Sequence, residues 1–513
     1  MNEGRLAKCV AVLGTGSDVG KSVAVAALCR LLSDAGLRVA PFKAQNMSNN
    51  SWVTYDGGEM GRAQVVQAQA ARVEPHVDMN PVLLKPNTDL GAQVVLHGRV
   101  LGDREASDYW KDTEALAGEA AASLRRLRER FDVIVIEGAG SCAELNLRDR
   151  DFVNFRTAHA ADAAVILIGD IDRGGVFAQI IGTLAILPEG DRARVKAFLV
   201  NRFRGDARLF DDGLQILEKR TGLPSLGLIP MYRDIDIDAE DALPLDAVLD
   251  PPEGPRTGRV NVAVLCLPHL SNFTDFAALA GEESVTVHYL TRPRPLAGYD
   301  LVLIPGSKNV RGDWRWMSER GWPEAIRAYA DSGGQVGGIC GGYQILGRRV
   351  DDPDGVEGAP GSDEMLALLD VETTLATRKT LTRVAAVWRN RATGNDVPVE
   401  GYEIHMGKTT GPDTQRPFTR IREIHGRGVD IAEGARGGGG RVWGTYLHGL
   451  FDAPEFRRSF LARFEAYRPS ETAAPSIDAH REAQYDKLAA HFRRYLNLPV
   501  LEGILGISLR SEG

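Results

Sequence analysis

Cysteine is scarce in this 513-residue chain: only Cys9, Cys29, Cys142, Cys266 and Cys340. The number is odd, the spacings are wide and no CxxC pair exists, which argues against zinc and dithiol redox motifs. Free thiols fit a reducing, cytoplasmic compartment. Long apolar runs are also lacking; none reaches the ~18 residues that span a bilayer. The polar residues 1–8 lead through a short apolar run, 9–13, straight into a glycine loop. That run reads as a buried strand and not as a signal peptide. A basic surplus is missing too. The net charge of -8 and pI near 5.8 argue against a general nucleic-acid binder, while leaving room for a local basic pocket. Tandem repeats are absent. The remaining composition, 43% hydrophobic and 25% charged, is that of a soluble globular chain with two or three full cores.

The first half alternates short apolar runs (9–13, 38–42, 133–136, 164–168, 197–200) with helical patterns (21–34, 61–72, 113–130, 175–187). Such alternation predicts an α/β domain with a parallel sheet covered on both faces. Residues 250–258 hold three prolines and two glycines, so they read as a linker. The expected first domain is 1–249 and the second 259–460. The second opens with apolar runs at 260–265, 285–290, 301–304 and 335–339 and closes with a β-rich, glycine-dense region, about 366–448. Beyond residue 453 the pattern is helical: Phe456, Phe460, Leu461 and Phe464 share one face. Residues 461–513 are expected as a helical extension packed on the second domain. The glycine run 437–440 reads as a loop or hairpin tip.

Two segments carry chemistry. Residues 14–22 run Gly-Thr-Gly-Ser-Asp-Val-Gly-Lys-Ser between an apolar strand and a helix. That arrangement cradles phosphates on backbone N–H groups. Gly14, Thr15, Gly16 and Gly20 shape the loop, Lys21 neutralises the outer phosphates of ATP, and Ser22 reaches Mg2+. Thr15 stands where the strict pattern has glycine, a variant that resembles dethiobiotin-synthetase-like phosphate-loop proteins. Glu137 ends a buried strand at the ligand edge of such a sheet and suits magnesium. Lys43 offers a second phosphate contact, and Asn201 a contact to the adenine edge.

The second segment is 338–342, where Gly338 and Gly342 straddle Cys340. This is the strand-to-helix elbow of G-x-S-x-G with sulfur for oxygen. Gly341 N–H is a natural oxyanion donor, with a second near Gly306. His448 is the candidate base, and His405, beside Glu403, is its chief rival. The other four cysteines read as structural thiols.

Taken with further segments, these motifs resemble the cobyric acid synthases, glutamine-hydrolysing amidases of corrin side chains. The carrying segments are 14–22, 41–51, 59–64, 79–86, 137–141, 147–155, 170–178, 338–347, 401–407 and 446–451, spread over nearly the whole chain. The resemblance implies a second domain like class I glutamine amidotransferases, with Cys340 as nucleophile, His448 as base and Gln344 holding glutamine. Many such enzymes carry glutamate two residues after the histidine; here that position is Leu450, so a Cys340–His448 dyad is the first reading, with Glu403 or Asp452 as alternative third members. It further implies that ATP with Mg2+ activates the b, d, e and g carboxylates of adenosylcobyrinic acid a,c-diamide, and that L-glutamine supplies ammonia. No nucleic-acid or membrane partner is expected, and the oligomeric state stays open. Arg148, Asp149, Asp151 and Arg173 are expected on the substrate side, with Arg62, Lys85 and Arg150 as further cations for a polycarboxylate. Two other readings stand beside this one: an a,c-diamide synthase, and a nucleotide-switched protein with a vestigial glutaminase fold.

Overall fold

The computed structural model describes residues 6–86, 91–232, 234–237, 249–251, 254–469 and 477–509, without the side chains of 103–112. Six parallel strands form the first sheet, in the order Ser225–Pro230, Val195–Phe203, Ala164–Asp170, Lys8–Gly14, Val133–Glu137, Val39–Phe42. The central strands are buried almost throughout. Burial on both faces is why they read as continuous Val/Ile/Leu runs. Val12 lies opposite Glu137, and Phe42 opposite Ile136, so the loops after these strands meet at one edge. That edge is where ligands of open α/β sheets gather.

A small sheet not foreseen in the sequence flanks this edge. It orders Gln45–Met47, Val82–Pro86, Gly91–Leu96 and Arg99–Glu105. A hairpin of Ser51–Val53 and Glu59–Gly61 leads directly into the helix Arg62–Ala70.

The second sheet orders Val285–Leu290, Val260–Leu265, Leu301–Ile304, Gln335–Ile339, Val442–Thr445 and Ala435–Arg436, with only the last pair antiparallel. Beside it stands a long hairpin, Glu372–Arg389 with Asp396–Thr410. The glycines at 437–440 turn the chain between two antiparallel strands. Within the expected linker, residues 252 and 253 lie outside the described residues. Its described start is docked and not loose: Asp250 accepts from Thr291 N at 2.9 Å, and Leu249 bridges Tyr289.

The expected placement of residues 461–513 needs correction. Phe464 and Tyr467 still belong to the core of the second sheet. The helices Ile477–Tyr495 and Leu498–Leu505 instead return to the first sheet, where Tyr485, Leu488, Phe492, Leu501 and Leu505 pack with Val10, Val12 and Val25. The physical reason is that the helix Lys21–Asp34 covers only part of this face of the first sheet, and the terminal helices bury the apolar surface that remains beside it. Polar ties fix the docking: Arg30, 1% exposed, donates to Glu482 and Asp486 at 2.7 Å each. Arg481 reaches back to Asp452 at 3.1 Å. Leu488 is fully buried in this seam. Leu488→Ala should therefore lower stability by about 2–5 kcal/mol, from lost burial plus a cavity, read from urea unfolding of the full chain.

Candidate active site

The phosphate loop leaves the strand at Gly14, and the helix Lys21–Asp34 starts after Gly20, whose φ of 93° suits glycine. A Cβ on Gly14 would lie 2.9 Å from Lys21 Nζ, so the lysine passes over a bare backbone. Lys21 Nζ donates to Gly16 O at 2.9 Å and Gly140 O at 2.8 Å. Thr15 does not have the positive φ of Asp18. Its hydroxyl donates to Gln179 at 3.3 Å, which explains why a side chain is accepted there.

Glu137 is the centre of this end of the sheet and is wholly buried. Ser22 Oγ and Lys43 Nζ each donate to its Oε1 at 2.8 Å, and Gln64 Nε2 and Gln67 Nε2 to its Oε2. A hydroxyl beside a buried carboxylate is a donor set that fits a small hard cation. Asn201 is 2% exposed, and its Nδ2 donates to Val19 O at 2.9 Å. Through Nδ2 it braces the loop from behind.

The expected substrate-side residues separate. Arg148, Asp149 and Asp151 line a cavity of about 310 Å³, where Arg148 is ion-paired with Asp191. Asp151 is a structural cap: it accepts from Val153 N, Asn154 N and Asn154 Nδ2 at 2.8–3.0 Å. Asn154 in turn holds both backbone groups of Ala139. Arg173 is exposed, 3.7 Å from Asp18 of the phosphate loop. Arg62 and Lys85, expected as cations for a polycarboxylate, are buried. Arg62 lies over the Trp52 ring and Lys85 on Glu59.

At the second centre the elbow is present. Cys340 has φ 52° and ψ −109°, between the strand Gln335–Ile339 and the helix Gly341–Leu346. Such a backbone is strained for a side-chain-bearing residue and is held only where the surroundings enforce it. A Cβ on Gly342 would fall 2.0 Å from Ile304 O, and one on Gly338 2.5 Å from Gly342 O. Close approach, then, demands both glycines. Cys340 Sγ donates to Ile404 O at 3.3 Å. Gly341 lies against Ser307 in the turn that carries Gly306. Gln344 is buried and donates to Met406 O at 3.1 Å and Tyr446 Oη at 3.2 Å.

His448 is 1% exposed and Nδ1 lies 2.7 Å from Asp275 Oδ2. Gly449 N donates to the other oxygen at 2.9 Å. Burial alone would lower the imidazole; the charge and hydrogen bond of Asp275, with a hydrogen bond to Cys340, overcome it and raise His448 to about 10. The expected dyad thus needs correction: Asp275, and neither Glu403 nor Asp452, is the carboxylate that orients His448. Glu403 instead accepts from Thr382 at 2.8 Å, and Asp452 from Arg481. Sequence reasoning missed Asp275 because it lies 173 positions from His448, in a short turn with no motif of its own. The rival His405 stacks on Tyr446 at 3.7 Å, and burial lowers it to about 4. Burial pushes the other thiols away from the thiolate: Cys9 up to about 11, Cys142 and Cys266 up to about 12, and Cys29 upward as well. Among the described residues no helix is long and apolar enough to cross a membrane.

The chain therefore carries a phosphate-loop edge and a Cys–His–Asp thiol centre. Comparison with known proteins agrees with both. Residues 10–245 match the CobQ/CobB/MinD/ParA nucleotide binding domain, and residues 261–456 the CobB/CobQ-like glutamine amidotransferase domain. Cobyric acid synthase of Chlorobaculum tepidum is 52% identical, covering 98% of this chain and 99% of that one. That of Chlorobium phaeobacteroides is 54% identical over 97% and 99%, and that of Ruegeria sp. 48% over 97% and 98%. With both centres built and the likeness spanning the whole length, the chain belongs to the cobyric acid synthase family of glutamine amidotransferase ligases.

Proposed function

We propose that the chain amidates the b, d, e and g carboxylates of adenosylcobyrinic acid a,c-diamide, using ATP and L-glutamine. The observation that carries this reading is the pairing of a triad-held thiol with a lysine-bearing phosphate loop in a chain of this family. Cys340 attacks the glutamine amide carbon, and the imidazolium of His448, held by Asp275, gives its proton to the departing ammonia. Gly341 N–H receives the developing oxyanion. Water then cleaves the thioester. At the other centre, Lys21 steadies the phosphoryl group as it passes to a substrate carboxylate, and ammonia displaces phosphate. Ser22 and Glu137 would hold Mg2+, whose charge offsets that of the phosphates. Asn201 Oδ1 is buried with no partner among the described residues, an acceptor suited to the exocyclic amine of adenine.

Mass spectrometry of the product tests this. Offered the a,c-diamide, ATP and glutamine, the chain should make four successive acid-to-amide conversions. Amidation of cobyrinic acid at a and c, with the a,c-diamide left untouched, would overturn it.

Asp275 also sets a pH dependence. Since His448 is raised to about 10, its cation is present below that pH and lost above it. Asp275→Asn removes the charge that outweighs burial, so the cation is lost at lower pH. Glutamine hydrolysis should fall about 10²–10⁴-fold, and the upper limb of its pH profile should move down. An unmoved limb in steady-state assays would mean that Asp275 does not act through His448.

A further inference from the structure

Asp275 stands on a turn whose local structure does not explain its sequence. Asn272 occupies the position before the short helix Phe273–Phe276, with φ 51° and ψ 44°. Asparagine is favoured there because its side chain caps the backbone N–H groups that follow. Here it makes no such bond. A left-handed backbone is also uncommon for a residue other than glycine. Neither feature serves the turn itself.

The amide of Asn272 reaches instead to the first half of the chain, and it is 3% exposed. Oδ1 accepts from Ser51 N at 3.3 Å, and Nδ2 donates to Ser51 O at 3.2 Å. The side chain thus meets Ser51 as a peptide of a neighbouring strand would. Nδ2 also donates to Tyr402 Oη at 3.1 Å. Tyr402 pairs opposite His448, and its ring is stacked on the imidazole with centroids 5.4 Å apart. Trp52, the residue after Ser51, packs on the same Tyr402 ring at 4.4 Å. Two successive residues of the hairpin therefore grip two groups that meet His448 differently. Asp275 holds Nδ1, and Tyr402 lies against the ring. Within the turn, Asp275 N donates to Asn272 O at 3.0 Å.

We infer that Asn272 is a positioning residue of the thiol centre: by fastening the turn of Asp275 to Ser51, it fixes that carboxylate and the Tyr402 ring against His448. The centre is then completed by the first half of the chain. The inference rests on the roles of Cys340, His448 and Asp275 proposed above. The imidazole gives its proton to departing ammonia, and its aim depends on Asp275. The face of an aromatic ring also favours a cation beside it. A turn released by about 1 Å would loosen both contacts, and a misplacement of that size costs on the order of 10²-fold.

Two variants of the full chain test this. Asn272→Gly suits the left-handed backbone and removes the amide. Tyr402→Phe keeps the stack and removes the oxygen that Asn272 reaches. Glutamate release is followed against glutamine concentration and pH, with synthesis from ammonium chloride beside it. Asn272→Gly should lower kcat for glutamate release about 10–100-fold with KM within about threefold, and Tyr402→Phe should lower it about threefold or more. Synthesis from ammonium chloride should stay within about twofold in both. The titratable groups whose charge reaches His448 are Asp275, Cys340, Glu403 and His405, with Arg62 and Asp452 around Tyr402. Neither variant removes any of them, so the downward move expected of the upper pH limb reads a loosened Asp275. A kcat unchanged in Asn272→Gly would overturn the inference, as would a raised KM alone, an unmoved limb, or an equal loss with both nitrogen sources. Should that variant not fold, an unchanged kcat and limb in Tyr402→Phe would overturn it. An unsubstituted chain that releases no glutamate from glutamine would instead defeat the proposed function itself.

Discussion

Cys340→Ala should abolish the use of glutamine and leave synthesis from added ammonia nearly intact. The thiol is the atom that bonds to the amide carbon, and nothing nearby replaces it. His405 is pushed down to about 4 by burial and stacks on Tyr446, so it neither attacks nor activates water strongly. Removing a nucleophile from a triad costs on the order of 10⁴-fold or more, with only binding and oxyanion contacts remaining. The substitution removes a single sulfur from a residue that is 7% exposed and leaves the elbow glycines in place. The fold, and with it the phosphate-loop edge, should stand. The measurement pairs glutamate release with amidated product from ammonium chloride. Loss of both activities in a folded variant would mean that the two centres are not separable.

Why was so much of this legible in sequence? Centres built from contiguous residues announce themselves. Lys21, Ser22 and the glycines around them share one loop, and Cys340 sits between the glycines its elbow demands. Buried parallel strands also declare themselves as apolar runs; the four runs that open the second domain, 260–265, 285–290, 301–304 and 335–339, are strands over those same residues. What the sequence hid was joined by tertiary contact. Asp275 reaches His448 from a turn anchored by Asn272, which hydrogen-bonds both backbone groups of Ser51 in the first half. Glu403 looked better placed, but its strand sets it opposite Leu447 while Tyr402 takes the place opposite His448. Arg62 and Lys85 read as cations for a polycarboxylate because burial of a charge depends on partners supplied from elsewhere in the chain. The terminal helices were misplaced for the same reason: their apolar face is plain in sequence, but not the sheet it covers.

Lys21→Ala should remove synthesis with either nitrogen source and spare glutamine hydrolysis. Lys21 Nζ is held by two carbonyl oxygens, Gly16 and Gly140, in a loop whose bare Gly14 lets it pass. Lys43 does not take its place: it is committed to Glu137 at 2.8 Å, with both side chains buried. Loss of one preorganised donor to a developing anion costs about 10²–10³-fold, and loss of a full charge at the transferred phosphoryl should reach at least that. Arginine should not rescue, since its planar fork cannot occupy the point between two carbonyls that an ammonium fills. Amide formation from glutamine and from ammonium chloride, run side by side, reads the effect; synthesis persisting within tenfold would move the phosphate site elsewhere. Mixing this variant with Cys340→Ala sharpens the result. One chain then makes ammonia and the other consumes it, so the nitrogen must cross solvent, where it is mostly protonated at neutral pH. Ammonia handed over inside one chain predicts that the mixture makes far less amide than the unsubstituted chain at equal glutaminase rate.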